Sequence, residues 1–259
     1  MKKFDNQNAW DLISKSNNPY TGGLTDTDIH QAKRGKPEIR VTDNKIVPKD
    51  WLGDLSDRHI LCLAGGGGQQ APLLAAAGAK VTVLDISDGQ LNQDRIAAKR
   101  WNLEINIMQG DMTDLSRLDD SQFELIIQPI SNQFIPDLTK LWSECFRILS
   151  YQGILISGFM NPHQYLFDLP LLDSKGLMKV SNRLPFRGDI DLSDEKRADY
   201  FGTHGMVEFS HSLEAQIGGQ IRAGFYIDGF YEDYRSDGTL QEYFPEFYAT
   251  KAKKGLRMD

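Results

Sequence analysis

A glycine turn and a carboxylate 19 residues further along are the first residues in this sequence that could do chemistry. Gly65 to Gly68 follow one apolar run, and Asp85 ends the next apolar run. Backbone N–H groups in a glycine turn that opens a helix favour a polar or anionic ligand group. An acid at the end of the following strand can accept hydrogen bonds from both hydroxyls of a ribose. Tight packing alone needs fewer glycines, so the pattern predicts a ligand that contains a ribose.

The residues around this turn have the pattern of a strand, a helix and a second strand. Residues 60–63 are an apolar run of the length of a buried parallel strand. Residues 69–77 are rich in alanine and leucine and predict a short helix that stops at Gly78. Residues 81–85 predict the second buried strand.

The same alternation continues through most of the chain. Further strands are predicted at 105–109, 123–128, 153–159, 225–234 and 247–253, and a short one at 207–209. Helices are predicted at 6–16, 25–34, 88–101, 136–149 and 212–222. A short helix at 113–118 is also possible from the sequence, and Asp111 would then be its N-cap rather than a ligand-binding residue. Strands that alternate with helices predict an α/β fold, an open and mostly parallel sheet with helices on both faces.

Two segments depart from this alternation. Residues 1–50 are polar with scattered apolar anchors, and we expect an arm packed on the core or a lid that brings Trp10 or Tyr20 over the ligand. Residues 161–205 combine prolines and aromatics without clear periodicity. Because this insertion follows a strand at the ligand-binding edge of the sheet, we expect a substrate cap rather than a surface excursion. Residues 51–259 would form the main domain.

Composition narrows the function classes. The 259 residues carry a net charge of −7, so no overall basic field attracts nucleic acid. The two cysteines suggest neither a metal site nor a disulfide framework, which favours a cytoplasmic protein. No apolar run approaches the length of a membrane helix. We expect a small-molecule substrate and no membrane partner, with a homodimer left open.

Four matches in order make the sequence resemble the class I S-adenosylmethionine-dependent methyltransferases over residues 55–255. They are ILCLAGGGG, Asp85 at the end of the second strand, GDM at 110–112, and FRILSYQGILISGF at 146–159. GF at 224–225 also matches the common ending of that fold. The resemblance implies a Rossmann-like, doubly wound sheet of seven strands whose last strand is antiparallel.

The resemblance also implies S-adenosylmethionine as the cofactor and assigns residues to it. The glycine turn would pass under the methionine part, Asp85 would hold the ribose, Asp111 would accept from the adenine amino group, and Pro129 would border the methyl group. The full set implied to bind the cofactor is Ala64, Gly65, Gly66, Gly67, Gln69, Asp85, Ile86, Asp111, Met112 and Pro129. Cys62 stands where the family usually has an acid, so backbone carbonyls near Ala64 or the N-terminal arm would orient the methionine ammonium.

Catalytic residues are harder to predict, because methyl transfer needs a base only when the nucleophile arrives protonated. His211 precedes the predicted 212–222 helix and is the candidate base or substrate ligand, although a lone histidine is more often structural. Asn132 and His163 follow the fourth and fifth strands and are candidates for contacting the substrate.

Two other functions remain open at this point. Gly66 to Ala71 fits G-x-G-x-x-A, and Asp85 would serve NAD equally well, as in an NAD-dependent oxidoreductase. Against that alternative, the chain contains no Tyr-x-x-x-Lys pair, and Asp111 would have no role. The second alternative is a non-catalytic module that binds the cofactor for regulation, because the acid expected at position 62 is missing. Methyl transfer to a small molecule is the function that the sequence favours.

Overall fold

A seven-stranded sheet forms the core of the computed structural model, which describes residues 5–16, 18, 20–202 and 204–255. The strand order is β3-β2-β1-β4-β5-β7-β6. The strands are β1 (His59–Leu63), β2 (Lys80–Asp85), β3 (Ile105–Gln109), β4 (Phe123–Gln128), β5 (Leu149–Met160), β6 (Phe225–Asp233) and β7 (Phe247–Lys254). Neighbours among β1 to β5 pair in parallel, and β7 runs antiparallel to β5 and to β6. The predicted sheet and its antiparallel last strand are confirmed.

Helices cover both faces of this sheet. They are α1 (Asn6–Ile13), α2 (Asp26–Lys33), α3 (Lys49–Leu52), α4 (Gln70–Ala76), α5 (Asp88–Trp101), α6 (Thr139–Ile148), α7 (Leu169–Lys175), α8 (Asp194–Phe201) and α9 (Gly219–Arg222). Within the described ranges, no helix is both long enough and apolar enough to span a membrane.

Strand β1 shows how the sequence builds both faces of the sheet. Ile60 and Cys62 belong to the apolar cluster that includes α2 and α4, whereas Leu61 and Leu63 belong to the cluster that includes α6. Successive side chains of a strand point to opposite faces, so an uninterrupted apolar run fills both layers. All four side chains are fully buried, and burial of each leucine or isoleucine side chain contributes about 1.5–3 kcal/mol.

Two predicted helices differ from the structure in their bounds or type. The helix predicted at 136–149 begins only at Thr139, because Asp137 accepts hydrogen bonds from the Thr139 N–H and hydroxyl in a turn before it. The helix predicted at 212–222 is a π-helical turn, Glu214–Gly218, followed by α9. A Cβ at Gly219 would lie 2.6 Å from the Trp142 ring, so glycine permits this close approach of α9 to α6.

Two further short predictions were wrong. Residues 207–209 form only an isolated bridge between Phe209 and Arg187 rather than a strand. Residues 113–118 form turns rather than a helix. In contrast, the helix predicted at 25–34 is confirmed as α2, with Thr25 and Asp28 forming a reciprocal capping box.

Candidate active site

The carboxyl ends of the parallel strands open into a cleft of about 1260 Å³. The cleft residues at or just after the ends of these strands are Ala64, Gly66, Gln69, Asp85, Ile86, Gly110, Asp111, Met112, Pro129, Ile130 and Ser131. In open α/β sheets, ligands bind outside the carboxyl ends of the strands, where the strand order reverses. The sheet order places that reversal between β1 and β4, so the cleft lies where this architecture binds ligands.

The glycine turn after β1 brings Gly66 into the lining of this cleft. Gly67 and Gly68 have φ angles of +120° and +73°, which favour glycine. Gly66 is required for a different reason, since an added Cβ would lie 3.0 Å from the Gln90 Cβ and 3.1 Å from the Asp85 Cγ. The turn therefore lets a ligand approach the backbone beside the Asp85 carboxylate.

Asp85 is fixed at the end of β2 by backbone donors. Its Oδ2 accepts from the Gly66 N–H at 3.0 Å, and its Oδ1 accepts from the Ser87 N–H at 2.9 Å. Burial raises the pKa of Asp85, and the backbone hydrogen bonds oppose that effect. Each carboxylate oxygen can accept more than one hydrogen bond, so a ribose diol fits this position.

Asp111 follows β3 and is held by a local turn. Its Oδ1 accepts from the Thr113 N–H at 2.7 Å and from the Thr113 hydroxyl at 2.8 Å. Among the described residues none donates to Oδ2, and the side chain is exposed in the cleft. Asp111 therefore has a free acceptor oxygen for a ligand amino group.

Eight of the ten predicted cofactor residues line the cleft, and two glycines do not. Gly65 and Gly67 are buried. The Gly67 N–H donates to Asp94 Oδ2 at 3.0 Å, and its carbonyl accepts from the Gly22 N–H at 2.6 Å. The partly exposed backbone at Gly66 and the carboxylates of Asp85 and Asp111 fit S-adenosylmethionine. Binding of the cofactor by these residues stays a prediction.

The structure does not bring the predicted catalytic and substrate residues into the cleft. His211 is buried, and its Nε2 lies 3.0 Å from the Asn132 carbonyl oxygen and 2.9 Å from that of Ile135. The Asn132 side chain is fully buried and bonded to Gln128 and Gln216. Both side chains are thus occupied by structural hydrogen bonds.

His163 also lies outside the cleft lining. It is exposed, and its Nδ1 lies 2.8 Å from Asn161 Oδ1. The position of these three side chains outside the cleft lining has one physical reason. A position just after a strand end does not determine whether a side chain turns toward the ligand or into the loops that pack beside it.

The N-terminal arm, and not the 161–205 insertion, contributes the outer wall of the cleft. Trp10 and Tyr20 line it, while none of the described residues within 161–205 does. The aromatic residues of the insertion pack mainly on one another, as Tyr165 stacks on Phe186 at 5.6 Å. The role of the insertion as a substrate cap stays a prediction.

Sequence reasoning missed the polar residues at the far end of the cleft. Glu208 and Arg235 line it there, together with Met160, Met206 and Phe247. Glu208 alternates with buried Val207 and Phe209. That alternation was the available signal, but three residues are too few to assign a face with a period of two.

The strand order, the glycine turn and the acids after β2 and β3 define a class I S-adenosylmethionine-dependent methyltransferase. Residues 61–157 match the model of a family described as a methyltransferase domain. The chain is 45% identical over 249 residues to an uncharacterized methyltransferase, YbaJ, of Bacillus subtilis (strain 168), covering 96% of this chain and 97% of that protein. The chain therefore belongs to the S-adenosylmethionine-dependent methyltransferases and uses that cofactor.

Two more distant similarities agree with this assignment. The ubiquinone biosynthesis O-methyltransferase of Alkalilimnicola ehrlichii is 30% identical over 118 residues, which cover 45% of this chain and 48% of that protein. A crystal structure of an S-adenosylmethionine-dependent methyltransferase from Mesorhizobium loti superposes with a TM-score of 0.61 at 19% identity, covering 79% of this chain and 94% of that chain. The latter supports the fold alone.

Proposed function

We propose that this enzyme methylates a small organic molecule bound in the cleft between the strand ends and the wall that contains Met160, Met206 and Glu208. The proposal rests on the observation that the cofactor residues and the substrate wall belong to a single cleft. One cleft contains eight of the ten residues assigned to the cofactor and also this mixed apolar and polar wall. A pocket lined by apolar side chains with a few polar groups is typical of small-molecule sites.

The N-terminal arm supports a small rather than a polymeric substrate. Asp11 accepts hydrogen bonds from the Ser87 hydroxyl at 2.6 Å and from the Gly89 N–H at 2.9 Å, which holds α1 against the start of α5. Trp10 packs edge-on against Phe134 at 5.3 Å. The arm thus crosses the cleft and restricts access for a folded nucleic acid, which the net charge of −7 would also repel.

The bound cofactor supplies an electrophilic methyl group, and the chain supplies alignment and exclusion of water. Displacement at a methyl carbon is accelerated when the nucleophile is held in line with the breaking bond. Apolar residues of the cleft, Trp10, Phe134 and Met206 among them, keep water away from the reacting atoms.

Methyl-labelled S-adenosylmethionine tests this proposal. The full chain is incubated with an extract of Bacillus subtilis, the source of the 45% identical protein. The extract is separated into small-molecule, RNA, DNA and protein fractions before counting. We expect label in the small-molecule fraction. Label confined to the nucleic acid or protein fractions would contradict the proposal.

A further inference from the structure

Glu208 is held rigidly beside the segment that follows β4. The Phe209 N–H donates to the Gln133 carbonyl at 2.8 Å. The Val207 N–H donates to Asn6 Oδ1 at 2.9 Å, and Asn6 Nδ2 donates to the Val207 carbonyl at 3.0 Å. The residues on both sides of Glu208 are therefore fixed, one to the post-β4 segment and one to the N-terminal arm.

The side chain of Glu208 has one anchored oxygen and one free oxygen. Its Oε2 accepts a hydrogen bond from the Tyr165 hydroxyl at 2.5 Å. Tyr165 is 1% exposed and is itself held by stacking on Phe186. Within the part of the chain that the structure describes, no group donates to Oε1, and Glu208 lines the cleft. The free oxygen is thus available to a molecule in the cleft.

The surroundings of Glu208 make its carboxylate a stronger proton acceptor than an exposed glutamate. Burial raises the pKa of Glu208, and the Tyr165 hydrogen bond and the Arg235 charge offset this only in part. The titratable and charged groups around this end of the cleft are Tyr20, Asp43, Tyr165, Arg235, Asp237 and Glu246. A base whose pKa lies closer to the working pH transfers protons more effectively.

We propose that Glu208 is the general base that accepts the proton of the methyl acceptor. This inference rests on the proposed function and adds the substrate class, a small molecule whose hydroxyl or amine nucleophile still carries its proton. Tyr165 is a positioning residue, because its hydroxyl fixes the orientation of the Glu208 carboxylate.

The step balances without any further reactant. A lone pair on the acceptor oxygen or nitrogen forms the new bond to the methyl carbon. The bond between that carbon and the sulfonium sulfur breaks, and its electron pair stays on sulfur, which becomes a neutral thioether. The proton of the acceptor moves to Glu208 Oε1 and later passes to solvent.

The test compares Glu208→Gln with wild type in the labelling assay, with the small-molecule fraction of the Bacillus subtilis extract as acceptor source. We expect the rate of label transfer to fall by roughly 10²–10⁴-fold, the usual contribution of a general base. Affinity for S-adenosylhomocysteine, measured by calorimetry, should stay unchanged. Glu242→Gln makes the same chemical change at an exposed residue outside the cleft and should transfer label like wild type.

The pH profile distinguishes a base from a structural carboxylate. In wild type the rate should rise with pH as Glu208 loses its proton, whereas the residual rate of Glu208→Gln should lack that step. Tyr165→Phe removes a hydrogen bond that lowers the pKa of Glu208, so the midpoint of the profile should move to higher pH. This second variant keeps the test valid if Glu208→Gln does not fold.

The outcomes separate this inference from the proposed function. If Glu208→Gln labels small molecules as fast as wild type, Glu208 is not the base. The same follows if Tyr165→Phe leaves the midpoint of the pH profile unchanged. Either result would overturn the role of Glu208 and leave the proposed function in place. A wild-type enzyme that binds S-adenosylhomocysteine but labels no small molecule would overturn the proposed function.

Discussion

The carboxylate of Asp94 lies beneath the glycine turn, where its Oδ2 accepts a hydrogen bond from the Gly67 N–H at 3.0 Å. Asp94 is fully buried, and its Oδ1 has no hydrogen-bond partner among the described residues. Burial raises the pKa of Asp94 to about 7, despite the opposing hydrogen bonds from Gly67 and Gly68. The acid buried beneath the glycine turn therefore changes its charge near neutral pH.

Asp94→Asn should make the protein less sensitive to alkaline pH. Because the pKa of Asp94 is higher in the folded state, its stabilising contribution is complete at acid pH and is lost as the pH rises through about 7. The free energy of unfolding of the variant minus that of wild type should therefore increase between pH 4 and pH 8, by up to roughly 4 kcal/mol. Urea denaturation across this range measures the difference.

Asp50→Asn is the matched control, because Asp50 is an exposed carboxylate on α3. Its unfolding free energy should follow the wild-type curve. Parallel curves for Asp94→Asn and wild type would contradict the assignment of a raised pKa to Asp94.

Gly66→Ala should weaken binding of S-adenosylhomocysteine without unfolding the protein. The new Cβ would crowd the Asp85 and Gln90 side chains at 3.0–3.1 Å, so the carboxylate must shift. Overpacking of this kind costs about 1–3 kcal/mol of folding stability, and the displaced carboxylate should lower the affinity that calorimetry measures. The control is Gly218→Ala, where the added Cβ meets only the Arg222 and Glu214 side chains. Equal affinities of the two variants for S-adenosylhomocysteine would contradict binding of the cofactor at Gly66.

His211→Ala should reduce stability and leave affinity for S-adenosylhomocysteine unchanged. Loss of the imidazole removes a donor from the Asn132 and Ile135 carbonyls, and the Asn132 carbonyl keeps the Ile135 N–H. A buried acceptor that loses its partner costs about 1–3 kcal/mol. Burial lowers the pKa of His211, so wild-type stability from this group is present above the ordinary histidine pKa and is lost as the pH falls below it. Thermal unfolding at pH 5 and pH 8 measures both effects.

The exposed His30 on α2 is the control for that experiment. His30→Ala should show neither the loss of stability nor the change in its pH dependence. If His211→Ala instead abolished methyl transfer at unchanged stability, the structural assignment of His211 would be wrong.

The sequence predicted those parts of the fold that depend on local pattern. The apolar run at 60–63 must be buried on both faces, and the glycines and Asp85 mark the ends of two adjacent strands. The helix predicted at 88–101 and the strands predicted at 105–109 and 123–128 match the structure to the residue. Periodicity and capping are properties of neighbouring residues, so one sequence is enough to find them.

The far end of the cleft could not be predicted in the same way. Glu208 becomes a site residue only because Asn6, Gln133 and Tyr165 hold it there, and none of these is near it in sequence. Asp94 has its raised pKa because the glycine turn folds over it, which no local pattern indicates. His211 lies outside the cleft lining for the converse reason, since carbonyls far from it in sequence occupy its Nε2.

Calorimetric titration of wild type and Asp85→Ala with S-adenosylhomocysteine tests most directly the claim that the cofactor binds at the strand ends. Wild type should bind it and should not bind NAD. Asp85→Ala should lower the affinity by roughly 1.5–3 kcal/mol, the range for hydrogen bonds to a charged group. Asp88→Ala, an exposed carboxylate three residues away that pairs with Arg95, should bind like wild type. Tight binding of NAD with no response to S-adenosylhomocysteine, or equal affinity of Asp85→Ala and wild type, would contradict the account.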